Sequence, residues 1–302
     1  MKHVVSVSLG SSKRDHTAET EFLGHQFRFE RRGTNGQFKK AVALLQELDG
    51  QVDAIGLGGI DVYLCSRNQR YALRDGLRLM ETVKNTPVVD GSGLKNTLER
   101  ETIRMLEQDG RIQLKDRHVL MVCAMDRFGM AEALEAAGAK VTYGDLIFTL
   151  GVDKPIRSLD ELEERAEKLL PEVCKLPISM VYPIGQKQEI IAPDEATSKY
   201  YHEADVIAGD FHLIRKKMPD SLEGKTIITN TVTEKDVKEL VKRKVKWLVT
   251  TTPAIDNRSY GTNVLEAAMV ALIGKPWQET LPEDYLKLIR EADLRPRIQQ
   301  LN

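Results

Sequence analysis

The sequence predicts an α/β protein of two domains, the second a doubly wound, Rossmann-like parallel sheet. Three observations lead there. Short apolar runs alternate with segments of helical period from end to end, the pattern of βαβ units and mostly parallel sheets. A chain of 302 residues suggests two buried cores rather than one. The stretch VLMVCAMDRFGMAEALEAAGAKVTYGD (119–145) reads as strand, tight turn, helix, strand and terminal acid, a Rossmann-type unit in outline.

In the first third, HVVSVSL (3–9) is a strand ending at Gly10-Ser11-Ser12, and QFRFER (26–31) alternates like a half-buried strand. GQFKKAVALLQEL (36–48) has helical spacing, and VDAIGL (52–57) is a strand ending in glycines. VYLCSRNQRYALR (62–74) reads as a hairpin around Arg67-Asn68-Gln69. LRLMETV (77–83) is helical, TPVVD (86–90) a strand and LKNTLERETIRMLEQ (94–108) an amphipathic helix. After a linker at 110–115 come strands HVLMVCA and AKVTYGD, with the helix 127–138 between them. LDELEERAEKLL (159–170) is a charged helix, and ISMVYP, ADVIAG, KTIITN and KWLVTT read as four more strands. TEKDVKELVKR (233–243) and TNVLEAAMVALIG (262–274) are helices. Thr280 and Glu283 are spaced like a capping box for a last helix, which Pro296 ends. The expected domains are 1–110 and 111–278, with 279–302 left open as a return to the first.

Composition excludes several classes. A formal net charge of −1, with both signs interspersed, points to neither nucleic acid nor an anionic membrane. Cys65, Cys123 and Cys174 make neither a CxxC pair nor a disulfide framework, which fits a reducing cytoplasm. The six histidines never fall at ligand spacing, so no metal is expected. The expected partner is a small molecule, with homodimerisation left open.

Candidate site residues cluster at strand ends. VVDGSGLKNTL (88–98) places Asp90 where a strand gives way to a helix; the acid either caps the helix or faces the cleft beside the sheet. Gly10-Ser11-Ser12-Lys13-Arg14, after the first strand, offers the hydroxyls of Ser11 and Ser12, N–H groups and the two cations Lys13 and Arg14 for a carboxylate or phosphate, and is otherwise a solvated turn. IGLGGID (55–61) allows close backbone approach, to a ligand or to the other domain. In the turn after 118–124, Ala124, Asp126 and Gly129 stand at the three places of GxGxxG, with Arg127 beside Asp126. Asp126 would crowd a diphosphate there. Asp145, at the next strand end, is where a ribose-binding acid belongs, and otherwise a turn residue. Asn257, Arg258, Ser259 and Thr262 crowd a strand-to-helix turn whose N–H groups could meet an anion.

The segment D-G-x-G-L-x-x-x-L at 90–98 resembles that of the shikimate and quinate 5-dehydrogenases, including bacterial proteins labelled quinate 5-dehydrogenase. HVLMVCAMDRFG follows where that family has its cofactor strand and glycine turn, and GTNVLEAAMVALIGK looks like its substrate-contacting helix, with Glu266 in the place of a Gln. The resemblance implies an oxidoreductase acting on a hydroxyl of a small carboxylated alcohol, with Asp90 as catalytic acid–base residue. The family's lysine motif NVTxPxK is absent, and Lys84 and Lys95 stand nearest as substitutes. The implied cofactor is NAD, with NADP or none left open. The rival reading is a non-redox two-domain protein, a nucleotide-sugar transferase or a small-molecule sensor. Asp126 favours the rival and DGSGL the dehydrogenase.

Overall fold

The computed structural model describes residues 1–302 apart from 68, 183, 186–189 and 256–257, and only the backbone of 254–255 and 258–259. The hairpin tip at Asn68 and the polar residue Asn257 lie outside the described residues, as do the side chains of Arg258 and Ser259.

The first sheet is built from β1 (Lys2–Ser8), β2 (His16–Phe22), β3 (His25–Gly33), β4 (Ala54–Gly58) and β7 (Val88–Val89). Helix α1 (Phe38–Leu48), the hairpin β5 (Tyr63–Cys65) and β6 (Arg70–Ala72), and α2 (Arg74–Met80) lie between these strands in sequence. Spatial order is β2-β3-β1-β4-β7, parallel except for β2 against β3. Side chains alternate across such a sheet. Val5, Val7, Ile55 and Leu57 join Ala41, Leu45 and Leu79 of α1 and α2 in one core. Val4 and Ala54 belong to the other face, which continues along the strands with the small residues Ser6, Ser8, Gly56 and Gly58. Gly56 has a reason to be glycine: a Cβ there would lie 2.6 Å from the Asn263 carbonyl oxygen.

Helix α3 (Ser92–Asp109) leads to the second sheet, with β8 (His118–Met121), α4 (Phe128–Ala136), β9 (Lys140–Tyr143), α5 (Leu159–Val173), α6 (Ile178–Val181), α7 (Glu195–Glu203), β10 (Val206–Ala208), α8 (Phe211–Lys217), β11 (Thr226–Thr229), α9 (Glu234–Lys242) and β12 (Trp247–Thr250). After the small ladder β13 (Ala254–Ile255) and β14 (Arg258–Ser259) come α10 (Thr262–Ile273), α11 (Pro282–Glu291) and β15 (Arg297–Gln300). The order β9-β8-β10-β11-β12-β15 is parallel except for the edge strand β15. The fold class is thus α/β with a doubly wound parallel second sheet.

Three features depart from the sequence reading. The predicted strand ISMVYP holds the one-turn helix α6 instead: Ile178 donates its N–H to Asp75 (3.0 Å), and Met180 faces solvent rather than a sheet. Helix α10, expected within 111–278, packs on β1, β4 and α3, because Val264, Leu265, Ala268 and Met269 complete the core around Val4, Phe27 and Phe29. The last segment divides: α11 packs on α3, whereas β15, past Pro296, pairs with β12 of the second sheet. The last helix is capped by Asp284, which accepts the Leu281 N–H (2.7 Å), not by Thr280 and Glu283.

Candidate functional site

Parallel sheets bind ligands beyond the carboxyl ends of their strands, where neighbouring strands send their connections to opposite faces. In the second sheet that point lies between β8 and β10, whose helices α4 and α8 belong to different cores, and the carboxyl ends of β1 and β4 of the first sheet lie on the same cleft. Both open onto a cleft of about 900 Å³, lined from the first sheet by Ser8, Gly58 and Asp61 and from the second by Arg127, Asp210 and Asn230.

Its floor is a network of charges. Lys95, in the first turn of α3, places Nζ 3.0 Å from Asp61 Oδ1 and 3.8 Å from Asp126 Oδ2. Arg127, buried after β8, binds Asp126 (3.0 Å) and Glu99 (2.6 Å) and lies 3.5 Å from Asp210. Asp210 caps α8 through the His212 N–H (2.8 Å) and accepts from Tyr182 Oη (2.7 Å) and Asn230 Nδ2 (2.9 Å). Burial pushes the Asp61 carboxyl up to about 6, against the pull of Lys95. Burial likewise lifts Glu99 to about 7, against Arg127. Burial also opposes the Lys95 charge, but Asp61 and Asp126 outweigh it and hold the ammonium above its ordinary value. A strongly protonated lysine beside a carboxylate that titrates near neutrality suits acid–base chemistry.

Of the sequence candidates, Asp90, Lys95, Arg127 and Thr262 line this cleft, and Asp126 reaches it through Lys95. The roles differ from those expected. Asp90 Oδ2 accepts the N–H groups of Val62 (2.6 Å) and Tyr63 (3.1 Å), while Oδ1 accepts Ser92 N–H (3.0 Å) and Oγ (2.6 Å). Four donors fix this carboxylate as a structural clasp between strand end, hairpin and helix.

Other candidates are placed elsewhere. Lys84 is exposed before β7, at the opposite end of the sheet, where Asp49 holds its N–H (2.9 Å). Ser11, Ser12 and Lys13 lie outside the lining, in a turn whose next residues, Arg14 and His16, do line it. Glu266 is buried among α3, α10 and α11, accepting from Tyr285 Oη (2.7 Å). Arg14, the second cation expected after β1, does line the cleft, and the residues missed in the sequence are Arg31, Tyr182 and Asp210, each from a different strand end or loop. Asp61 carried the one usable signal, a glycine-rich strand end followed by an acid.

A dinucleotide needs the free N–H groups of the β8 turn for its pyrophosphate. Asp145 takes two of them: its Oδ1 accepts Ala124 N–H (2.9 Å) and Met125 N–H (3.0 Å), with Cys123 Sγ at 3.4 Å, and the Asp126 carboxylate stands at the second glycine place of the same turn. Asp145 is therefore a buried brace of the turn rather than a ribose acid, and Ala124 has no exposed surface. Gly129 serves packing, since a Cβ there would overlap the Asn96 carbonyl of α3. These residues do not fit NAD or NADP. Beneath the turn lies a small apolar void of about 60 Å³ bounded by Cys123, Met125 and Leu170. Among the described residues no group of three or more His, Cys, Asp or Glu side chains is placed to hold a metal ion, and no helix is long and apolar enough to cross a membrane.

No curated protein matches the sequence. Among solved structures, a Mycobacterium smegmatis protein in complex with β-D-fucofuranose is similar at 14% identity over 99% of each chain, with a TM-score of 0.33. A galactofuranose binding protein is similar at 11% identity over 97% of this chain and 99% of its own, TM-score 0.37. The hetero-hexameric glutamate dehydrogenase of Thermus thermophilus is similar at 12% identity over 97% of this chain and 74% of its own, TM-score 0.41. Residues 3–90 match a family described as a domain of unknown function, DUF8753. Residues 93–301 match a second, so the chain belongs to the family described as domain of unknown function DUF8754.

Proposed function

We propose that this protein binds a small hydroxylated molecule in the cleft between its two sheets and moves a proton at one of the ligand's hydroxyls. The observation that carries this reading is the Lys95–Asp61 pair, 3.0 Å apart on the cleft floor. Asp61, lifted to about 6 by burial, accepts the proton above that pH, and the Lys95 ammonium steadies the negative charge left on the ligand oxygen. Tyr182, Asn230 and Asp210 border the same cleft and orient the remaining hydroxyls. Hydride transfer to a nicotinamide is not part of this reading, because Asp145 occupies two N–H donors of the turn and the Asp126 carboxylate stands where a pyrophosphate would approach.

Calorimetric titration of a panel of polyols and hydroxy acids, quinate and shikimate among them, tests it on the wild type and on Asp61→Asn. At least one member is expected to bind, with affinity reduced at least tenfold by the substitution. A panel with no binder, or a binder indifferent to Asp61→Asn, overturns the reading.

A further inference from the structure

Beside β1, two arginines converge. The terminal nitrogens of Arg14 and Arg31 each lie 2.9 Å from the point where a Cβ on Gly10 would stand. The missing side chain of Gly10 is what lets both guanidiniums share that spot. Ser8 Oγ fixes the arrangement, accepting from Arg31 Nη2 (3.0 Å) and from the Gly10 N–H (3.0 Å). Arg31 also donates to the Ser11 carbonyl (2.9 Å) and to Asp15 (2.7 Å), so among the described residues Nε and one hydrogen of Nη2 are left over from the five N–H groups of a guanidinium. Burial, with Arg14 adding to it, pulls the Arg31 guanidinium down to about 10, against Asp15.

Both arginines line the cleft, together with His16, Ser6 and Ser8. At the neighbouring strand end, roughly 5 Å across the sheet, β4 leads into Gly59 and Asp61. Beside β1 the cleft presents Arg14 and Arg31, with Glu30 in the lining and Asp15 paired to Arg31; beside β4 and β10 it presents Asp61 and Asp210, paired with Lys95 and Arg127. A small molecule with an anion at one end and hydroxyls at the other would meet the two arginines and the Asp61 and Asp210 carboxylates together.

We infer that Arg14 and Arg31 form an anion subsite for a phosphate monoester, and that the ligand is a phosphorylated polyol. This rests on the cleft reading above. Two adjacent guanidiniums favour a dianion over a carboxylate, and their planar forks match phosphate oxygens. A phosphate monoester, with its second pKa near about 6, is that dianion at neutral pH. The hydroxyls then fall toward Asp61 and Asp210.

Inorganic phosphate is the first probe, titrated into the full chain against chloride at equal ionic strength; glucose 6-phosphate against glucose is the second. Phosphate is expected to bind, and Arg14→Gln and Arg31→Gln each to weaken it at least tenfold, while Lys140→Gln, on the far side of the second domain, leaves it unchanged. Arg14→Lys, which keeps the charge but loses the fork, guards against an unfolded variant and is expected to lose at least threefold. Phosphate that does not bind, or that binds Arg14→Gln as well as the wild type, overturns the subsite. Neutral polyols that still respond to Asp61→Asn in that event leave the cleft reading standing. Phosphate that binds through the arginines while no polyol responds to Asp61→Asn keeps the subsite and removes the acid–base reading.

Discussion

Asp145 Oδ1 lies 2.9 Å from the amide nitrogen of Ala124 and 3.0 Å from that of Met125, so a carboxylate of the chain itself fills the turn after β8. This turn has a Rossmann outline, but two of its N–H donors are already taken and Asp126 brings a second carboxylate to it. Calorimetry with NAD, NADH, NADP and NADPH is expected to register no binding. Asp126→Gly, which restores a glycine at the second place of the turn, is expected to gain none, because Asp145 stays. Submillimolar binding to either protein would mean that Asp145 swings aside.

Asp145→Ala strips two buried N–H groups of their acceptor. A loss of about 2–4 kcal/mol in urea unfolding is expected. Cleft-ligand affinity is expected to hold, since Asp145 is absent from the cleft lining.

Asp90→Asn is expected to cost roughly 2–4 kcal/mol in the same measurement. An asparagine can still cap a helix. In the structure both carboxylate oxygens accept two donors each. Either orientation of the amide sets an NH₂ group against two N–H groups, or against the Ser92 N–H and hydroxyl. An unchanged unfolding midpoint would remove the clasp from the account.

The sequence made the framework legible where burial is one-sided and periodic. Strands β1, β4, β8, β10, β11 and β12, and helices α1, α3, α4, α5, α9 and α10, lie within a few residues of their apolar patterns. The edges were harder. Strand β2, HTAETEF, is largely exposed, and β15 is a half-buried edge strand, so neither shows a buried run. Helix α6 was read as a strand because ISMV is apolar, yet only Ile178 of the four is buried. The site was legible one strand end at a time. Lys95, Asp126 and Arg127 were singled out, but their partners Asp61, Glu99 and Asp210 come from separate connections, and only folding brings them together.

Glu266 gives a pH test. Burial, with nearby Asp90 adding to it, lifts its carboxyl from 4.5 to about 7, and its Oε2 has no partner among the described residues. Between those values the folded protein binds more protons than the unfolded chain. The associated stability is full below about pH 4.5 and is lost as pH rises through about 7. Asp61, Glu99 and Asp145 shift in the same direction, so the wild type alone cannot isolate one group. Glu266→Gln keeps an acceptor for Tyr285 and removes the charge. Its melting temperature is expected to fall less between pH 5 and pH 8 than that of the wild type. Parallel curves would show that Glu266 does not titrate in this range.

Lys95→Met separates the charge of the floor from its packing. Methionine fills nearly the same volume, but Asp61 loses the cation 3.0 Å away. Asp126 keeps Arg127 at 3.0 Å, so the burden falls on Asp61. Removing one partner of a buried pair costs about 3–5 kcal/mol when the other charge stays. Asp61 has an escape, since burial already lifts it to about 6 and loss of Lys95 lifts it further. At pH 5 the carboxyl is protonated and the loss should be small; at pH 8 it is ionised, or must take up a proton at a cost, and the loss should be large. The double variant Lys95→Met/Asp61→Asn leaves no such charge and is expected to recover most of the loss at pH 8. Urea unfolding of the four proteins at both pH values measures the coupling directly. Equal losses for Lys95→Met at pH 5 and pH 8, with no recovery in the double variant, would show that Lys95 acts through its stem rather than its charge, and Asp61 would then lose its standing as the proton acceptor of the cleft.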